Sequence, residues 1–366
     1  MSRATCAEID LGALTDNLET ARRSAPGQPV LAVVKADAYG HGLVRAAEAL
    51  HRAGVDALGV ASLEEARTLR GAGIEGPVVL LEGFFEATEL PALAELGLTP
   101  VIHCPWQLEA LEAWRAPHPL PVWLKVDSGM HRLGFEPDGL PAVRERLARC
   151  PAVAGEPVVM THLACADEPD RPETGRQLET FRTCVAADEV VSIANSAGIL
   201  GWPEARRGWL RPGIMLYGVS PFAVGVENAA AGELRPVMTL RSELICVRRL
   251  AAGEAIGYGA TWRAPEAMPV GVVAAGYGDG YPRHAPSGTP VLVGDHEVPL
   301  VGRVSMDMIT VDLRAHPDAC PGDPVTLWGR GLPVARIAEA AGTIGYELLC
   351  HVTPRVPRFC EGDSRV

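Results

Sequence analysis

The sequence predicts an α/β fold: an N-terminal (β/α)8 barrel of the TIM type, followed by a mainly β C-terminal domain. Up to about residue 220, short apolar runs alternate with amphipathic stretches, as is typical of βα units around a parallel sheet. There are eight such runs, the number that a (β/α)8 barrel needs. Beyond residue 220 the runs become β-like, with Gly-Asp turns between them. A doubly wound sheet is the alternative, but it usually has fewer strands and a glycine-rich first turn.

The eight runs define the predicted barrel strands. Between most of them lie segments such as LVRAAEALHRAG (43–54), whose Ala and Leu positions recur at helical spacing. The GHG at 40–42 is not a G-x-G-x-x-G fingerprint, so it gives little support for a dinucleotide site. The strands are predicted at PVLAVVKA (29–36), DALGVAS (56–62), PVVLLEG (77–83), TPVIHC (99–104), PVWLKVD (121–127), PVVMTHLA (157–164), VVSIANS (190–196) and GIMLYG (213–218).

The domain boundary is placed where the pattern changes, giving a barrel domain over 1–228 and a mainly β domain over 229–366. VGDHEV (293–298) predicts a tight hairpin, and LPVARIAEAAG (332–342) predicts one amphipathic helix among the strands. The short strand CAEID (6–10) precedes the first helix and can belong to the β domain instead of the barrel.

Composition excludes several classes of function. A formal charge of -12 leaves no basic stripe for nucleic acid, and no stretch of about 18 apolar residues predicts a membrane span. The N-terminus has no apolar segment typical of a secretory signal. Nine scattered cysteines without a CxxC pair favour reduced thiols in a cytoplasmic protein. We expect no metal site, because His162 and Cys165 form only an incidental pair.

Lysine is nearly absent from this chain. Of 33 Lys and Arg residues, only Lys35 and Lys125 are lysines. Arginine carries positive charge as well as lysine does, but it cannot lose a proton near neutral pH and attack a carbonyl. The two lysines therefore mark positions where an amine can be chemically required.

Polar side chains follow the predicted strands at the end where a barrel carries its active site, with phosphate commonly bound after strands seven and eight. Taken singly, each has an ordinary structural explanation: Asn195, for example, can be a helix N-cap. Together with a strand-end lysine they indicate Schiff-base chemistry with pyridoxal phosphate. Backbone amides and side-chain hydroxyls can hold the phosphate group of this cofactor. The set comprises Lys35, Tyr39, Lys125, Asp127, Arg132, Thr161, His162, Asn195, Ser196, Arg211, Gly213 and Ile214.

Nine motifs, in order from about residue 5 to residue 358, resemble those of the alanine racemases: AVVKADAYGHG, KVDSGMHRLG, THLACADE, ANSAG, RPGIMLYG, GYGATW, AAGYGDGYPR, VGRVSMDM and GYELL…RVPR. The resemblance implies a fold-type III, pyridoxal phosphate-dependent isomerase that interconverts L- and D-alanine. It also implies a homodimer whose two active sites each take residues from both subunits. Such an enzyme supplies D-alanine for the cell wall or serves alanine catabolism.

The resemblance also implies a role for each matching residue. Lys35 binds pyridoxal phosphate and acts as one base, and Tyr258 of the partner subunit acts as the other. Arg211 faces the pyridine nitrogen, and Arg132 contacts the cofactor phenolic oxygen and the substrate carboxylate. Lys125 is the family lysine that can carry a carbamate, fixing Arg132. The cofactor is held further by Tyr39, Asn195, Ser196, Gly213, Ile214 and Tyr346, the substrate by Met306, Asp307 and Tyr277, and His162 lies beside Tyr258 and Arg211.

One departure from the family pattern lies next to this set. His131 occupies a position where many members have glycine, which leaves the environment of Arg132 open.

Four other readings fit a strand-end lysine. A same-fold decarboxylase would release carbon dioxide, and a racemase of other small amino acids would accept serine as well as alanine. A regulatory pyridoxal phosphate protein would usually be a bare barrel, and a lysine aldolase would lack the visible absorbance of the cofactor.

Overall fold

The computed structural model describes residues 3–360, and its first layer is a curled, all-parallel sheet. Seven strands pair in chain order, each with the next in parallel register. They match seven of the eight predicted runs, and the predicted α/β class is confirmed. The strands are Leu31–Val33, Ala57–Val60, Val78–Leu80, Leu98–Ile102, Trp123–Lys125, Val158–Met160 and Val191–Ser192.

The eighth predicted strand is wrong. Residues Ile214–Tyr217 form a 3-10 helix, not a strand. The barrel is closed instead just before it, where the Leu210 N–H donates to Pro29 O and the Leu31 N–H donates to Leu210 O, both at 2.8 Å. The run 213–218 is apolar because its turn is buried, and a short buried run has no periodicity to separate helix from strand.

Helices surround the sheet as the amphipathic spacing predicts. Leu43–Arg52, for example, buries its Leu and Ala positions, and Asp10 caps the first helix through the Ala13 N–H at 2.8 Å. The barrel helices are Leu11–Ser24, Leu43–Arg52, Leu63–Gly71, Leu90–Glu95, Pro105–Ala113, Leu140–Arg149, Glu173–Cys184, Ser196–Gly201 and Ala229–Gly232, and short 3-10 turns lie at Ala87–Glu89, Pro137–Gly139 and Pro203–Ala205.

The second layer is an eight-stranded sheet built on one long strand, Met238–Leu250. The strand Cys6–Ile9 pairs with it and with Arg358–Cys360, so the chain starts in this sheet before entering the barrel. The predicted hairpin is present, with Val293 opposite His296. The remaining strands are Met268–Val273, Pro290–Val293, His296–Pro299, Ile309–Asp312 and Pro324–Trp328, with a separate pair, Ala255–Ile256 and Trp262–Arg263.

Two helices lie in this second part, where the sequence predicts one. Val334–Ala341 is the predicted helix, and Gly345–Cys350 is the additional one. Further 3-10 turns occur at Tyr258–Ala260 and Tyr277–Asp279. The boundary between residues 228 and 229 stays a prediction. Within residues 3–360, no helix has the length and apolar character needed to cross a bilayer.

Candidate active site

The turn that carries Lys35 is left-handed. Ala36, Asp37, Ala38 and Tyr39 all have φ of 53–54°, a conformation that costs a non-glycine residue about 1–2 kcal/mol. Local hydrogen bonds hold it: the Ala36 N–H donates to Glu65 Oε1 at 2.7 Å, and the Asp37 carboxylate accepts from Leu43 N–H at 2.7 Å. This strained turn fixes the direction in which the side chains of Lys35 and Tyr39 project beyond the strand Leu31–Val33.

His41 supports the same turn from below. Its Nδ1 lies 2.9 Å from the carbonyl oxygens of Ala38 and Tyr39, and since carbonyls only accept, Nδ1 is the protonated donor. Burial lowers the pKa of His41 to about 4, so the ring stays neutral.

A cavity of about 580 Å³ opens at the carboxyl ends of the barrel strands. The structure brings eleven of the predicted residues to its wall: Lys35, Tyr39, Lys125, Arg132, His162, Asn195, Ser196, Arg211, Gly213, Ile214 and Tyr346. The ten barrel residues meet there because parallel strands end on the same edge of the sheet, and Tyr346 joins them from the helix Gly345–Cys350.

Arg211 is the most deeply held of these side chains. It is buried, and its guanidinium donates to Ser192 Oγ and to Thr161 O, both at 2.6 Å. Burial lowers its pKa to about 10, which still leaves a cation at neutral pH. Its Nη2 lies 3.4 Å from His162 Nδ1. Desolvation, then the charge of Arg211, hold the pKa of His162 well below its usual value, so this ring is neutral.

Opposite Lys35 lies a small cradle of hydroxyl and amide groups. Ser196 Oγ accepts from the N–H of Gly213 at 2.9 Å, and Ile214 N–H begins a 3-10 turn, so it has no acceptor within that turn. A Cβ on Gly213 would come within 2.5 Å of Tyr39 Oη, so only glycine leaves this cradle open. Burial raises the pKa of Tyr39 and of Tyr346, which keeps both phenols protonated as donors.

Two of the predicted polar residues form hydrogen bonds with the backbone of their own chain. Asn195 caps its helix, with Oδ1 accepting from Gly198 N–H at 3.0 Å while Nδ2 donates to Leu163 O. Asp127 Oδ1 accepts three backbone N–H groups of the loop 129–131. His131, in that loop, has φ of 55°, which lies in the left-handed region that favours glycine.

The two lysines have different surroundings. Lys125 is buried, and desolvation, then the charges of Arg211 and Arg132, lower its pKa to about 8. Lys35 is half-buried, and its Nζ lies 3.8 Å from Glu82 Oε1.

The predicted base Tyr258 and the predicted substrate residues of the β domain lie away from this cavity. Tyr258 is 69% exposed, and Met306 and Tyr277 are also exposed. Tyr277 N–H donates to Ser305 O at 3.0 Å, and Asp307 accepts from Arg355 at 2.8 Å, so these loops are ordered by their own contacts. Among the described residues 3–360, the cavity wall includes none of these four.

Comparison with known proteins agrees with this geometry. The family model "Alanine racemase, N-terminal domain" matches residues 9–221, and "Alanine racemase, C-terminal domain" matches residues 237–360. The chain belongs to the alanine racemase family. This confirms the resemblance predicted from the motifs.

Relatives within the family match over nearly the whole chain. Alanine racemase of Halorhodospira halophila is 51% identical, over 98% of this chain and 98% of that protein, and alanine racemase of Nitrosococcus oceani is 55% identical over 96% and 98%. The crystal structure of biosynthetic alanine racemase from Pseudomonas aeruginosa superposes with a TM-score of 0.94 at 50% identity, covering 98% of this chain and 99% of that chain. Alanine racemase from E. faecalis gives 0.90 at 34% identity, covering 98% of each.

Sequence reasoning missed part of the cavity wall of this family member. The sequence pattern places Glu82 only in a strand run, although its side chain lies in the cavity wall beside Lys35. Cys350 also lines the cavity, from the helix that was not predicted. The strand-end position of Glu82 was a usable signal, because every other predicted site residue of the barrel was found by that criterion.

Proposed function

We propose that this chain is an alanine racemase that interconverts L- and D-alanine, with pyridoxal phosphate attached to Lys35. The observation that carries the proposal is the cavity at the barrel mouth. It joins a strand-end lysine, a buried arginine and an open hydroxyl–amide cradle within about 580 Å³, a volume typical of small-molecule sites. The family's curated members, which carry the name alanine racemase, support the same activity.

The wall fits the cofactor at three points. The amine of Lys35 is the group that can bond its aldehyde, and the guanidinium of Arg211 is a permanent donor for the ring nitrogen. In the cradle the Gly213 N–H donates to Ser196 Oγ, which leaves the Ser196 hydroxyl proton and the Ile214 N–H as neutral donors for a phosphate. When bound, the cofactor supplies delocalisation for the negative charge left when the substrate α-proton is removed.

Inverting the α-carbon requires proton transfer on two opposite faces. Lys35 Nζ removes or returns the proton on the cavity side. Tyr258 of the partner subunit supplies the second group on the open side. In its own chain Tyr258 is 69% exposed and away from the cavity wall, which supports a homodimer with shared sites.

Arg211 limits side reactions in this scheme. As a cation held by Ser192 and Thr161, it keeps its proton at neutral pH. It therefore orients the ring without protonating it, and the weaker electron sink favours return of the proton to the α-carbon over transamination.

Substrate size and orientation are assigned to residues at the mouth. Arg132 binds the substrate carboxylate, and Lys125, carrying a carbamate, orients Arg132. Tyr346 of the same chain, with Tyr277 and Met306 of the partner subunit, crowds the entrance and favours small side chains such as that of alanine.

The test combines a spectrum with optical rotation. We expect purified protein to show an absorbance band near ~420 nm that borohydride removes, and L-alanine to lose its rotation until both enantiomers are equal. Because decarboxylation also destroys the stereocentre, carbon dioxide release without formation of D-alanine would indicate a decarboxylase instead. A protein with no visible band and no racemisation would contradict the proposal.

A further inference from the structure

The cavity contains a carboxylate that the roles above do not use. Among the described residues 3–360, its wall includes four cationic side chains, Lys35, Lys125, Arg132 and Arg211, and one acidic side chain, Glu82. The proposed cofactor phosphate and substrate carboxylate are anions, so a carboxylate here works against their binding. Its presence calls for a role directed at one of the cations.

Lys35 is the cation to which Glu82 is paired. The distance from Lys35 Nζ to Glu82 Oε1 is 3.8 Å, and both side chains are half-buried, with exposed fractions of 38% and 40%. This separation is longer than a hydrogen bond, so the contact is ionic and Glu82 does not exchange a proton with Lys35 directly.

The fold holds Glu82 firmly at this place. Its carbonyl oxygen accepts from His103 Nε2 at 3.0 Å and from the fully buried Gln107 Nε2 at 3.4 Å. The next residue, Gly83, has φ of 72°, and a Cβ there would meet Val101 O at 2.4 Å. The turn that aims Glu82 into the cavity is therefore determined by buried neighbours and not by solvent.

We propose that Glu82 is a positioning residue for Lys35, acting as the counter-ion of the ammonium that Lys35 becomes when it takes the substrate α-proton. The inference rests on the proposed function. In that step the C–H bond breaks, an N–H bond forms on Lys35 Nζ, and the electron pair stays with the carbon. No further reactant is needed.

The other groups around Lys35 oppose this new charge. Arg132 and Arg211 carry like charge, as does Lys125 while it carries no carbamate, and like charges within a cavity disfavour one another. Glu82 is the group that offsets them. The titratable and charged groups that share the cavity with Lys35 are Glu82, Lys125, Arg132, Arg211, His162, Tyr39, Tyr346 and Cys350.

Three variants separate charge from shape. Glu82→Gln removes the charge at constant size, Glu82→Asp keeps the charge on a shorter side chain, and Glu95→Gln removes an exposed carboxylate outside the cavity as a control. The first measurement is the α-deuterium isotope effect on kcat/KM, taken separately for L- and D-alanine. The second is the rate at which pyridoxal phosphate forms its visible band with cofactor-free protein at neutral pH.

Turnover and the rate of cofactor attachment are expected to move in opposite directions. Glu82→Gln should lower turnover about tenfold and raise the isotope effect chiefly for the enantiomer whose proton Lys35 takes. The same variant should attach the cofactor severalfold faster, because an unpaired Lys35 is more often the free amine that attacks an aldehyde. Glu82→Asp should restore most of both values, and Glu95→Gln should match the wild type.

The outcomes distinguish this inference from the proposed function. Unchanged isotope effects and attachment rate in Glu82→Gln, with an active wild type, would overturn the role of Glu82 alone. Slower attachment together with slower turnover would show a merely structural role and would overturn it equally. A wild type without the visible band and without racemisation would overturn the proposed function, and this inference with it.

Discussion

The barrel mouth and the β domain carry the two halves of the predicted site, and the two halves differ in how far their side chains are buried. The barrel half is assembled within one chain around one cavity, where Arg211 is buried and its guanidinium donates to Ser192 Oγ and Thr161 O. The β-domain half is displayed outward, with Tyr258 69% and Met306 53% exposed. The barrel half forms its cavity within one chain, whereas the β-domain half presents exposed side chains that a second surface can cover.

The difference assigns different work to each half. Burial inside the barrel changes proton affinities, as it does for Lys125 and His162, and so prepares groups for chemistry. Tyr258 is 69% exposed in its own chain, so a second copy would supply the groups that surround its phenol. Variants in the barrel half should therefore change cofactor binding as well as turnover, and variants in the β-domain half should change turnover alone.

The largest effect is expected for Lys35→Ala. It removes both the attachment point of the cofactor and one base, so the visible band should be lost and turnover should fall by at least about 10⁴-fold. Absorbance spectroscopy and polarimetry check the two losses. A variant that keeps a borohydride-sensitive band would contradict the assignment of Lys35.

Tyr258→Phe tests the other half. Removing one hydroxyl from an exposed ring leaves the barrel cavity intact, so the band should persist while turnover falls by about 10²–10⁴-fold. Loss of the band together with activity would erase the distinction between the two halves. Circular dichroism of this variant should match that of the wild type.

Gly213→Ala should have a smaller effect, confined to the barrel. The added methyl meets Tyr39 Oη at 2.5 Å, and overpacking of about 1–3 kcal/mol corresponds to roughly 5- to 150-fold weaker cofactor binding. Titration of cofactor-free protein with pyridoxal phosphate measures it. Gly139→Ala is the matched control, because a Cβ there meets nothing within 4 Å, and equal affinities in the two variants would refute the cradle.

The smallest effect concerns Lys125. Its pKa of about 8 means that below this pH the amine is protonated and cannot attack carbon dioxide, whereas above it the free amine can. At fixed dissolved carbon dioxide, the carbamate signal in ¹³C NMR should therefore increase as the pH rises through about 8. Lys125→Arg should show no such signal. A wild-type signal that is absent, or that decreases with pH, would contradict the carbamate.

Much of the fold was predictable, because alternation of apolar and amphipathic segments reports βα units directly. Seven strands and the barrel face followed from it, and with the face came the clustering of Lys35, His162 and Arg211. The eighth strand failed because the run at 213–218 is apolar for a different reason, the burial of a 3-10 turn. Short apolar runs do not reveal their geometry.

The missed features depend on tertiary contacts. Glu65 and His41 bond the backbone of the left-handed turn at 36–39, and although His41 lies in the same motif, Glu65 is 29 residues from Ala36, the residue it bonds. Lys35 was found because lysine is rare here, whereas Glu82 is one of 45 acidic residues and has no such distinction. Rarity singles out Lys35 in the sequence, whereas the pairing of Glu82 with it at 3.8 Å is visible only in the structure.

The central claim is that each site combines Lys35 of one chain with Tyr258 of another, and hybrid dimers test it most directly. Lys35→Ala and Tyr258→Phe chains carrying different tags are co-expressed, and the heterodimer is isolated through both tags. Since one of its two sites has both groups intact, it should recover about half of the wild-type turnover, although each parent homodimer is nearly inactive. A heterodimer no more active than its parents would contradict the claim.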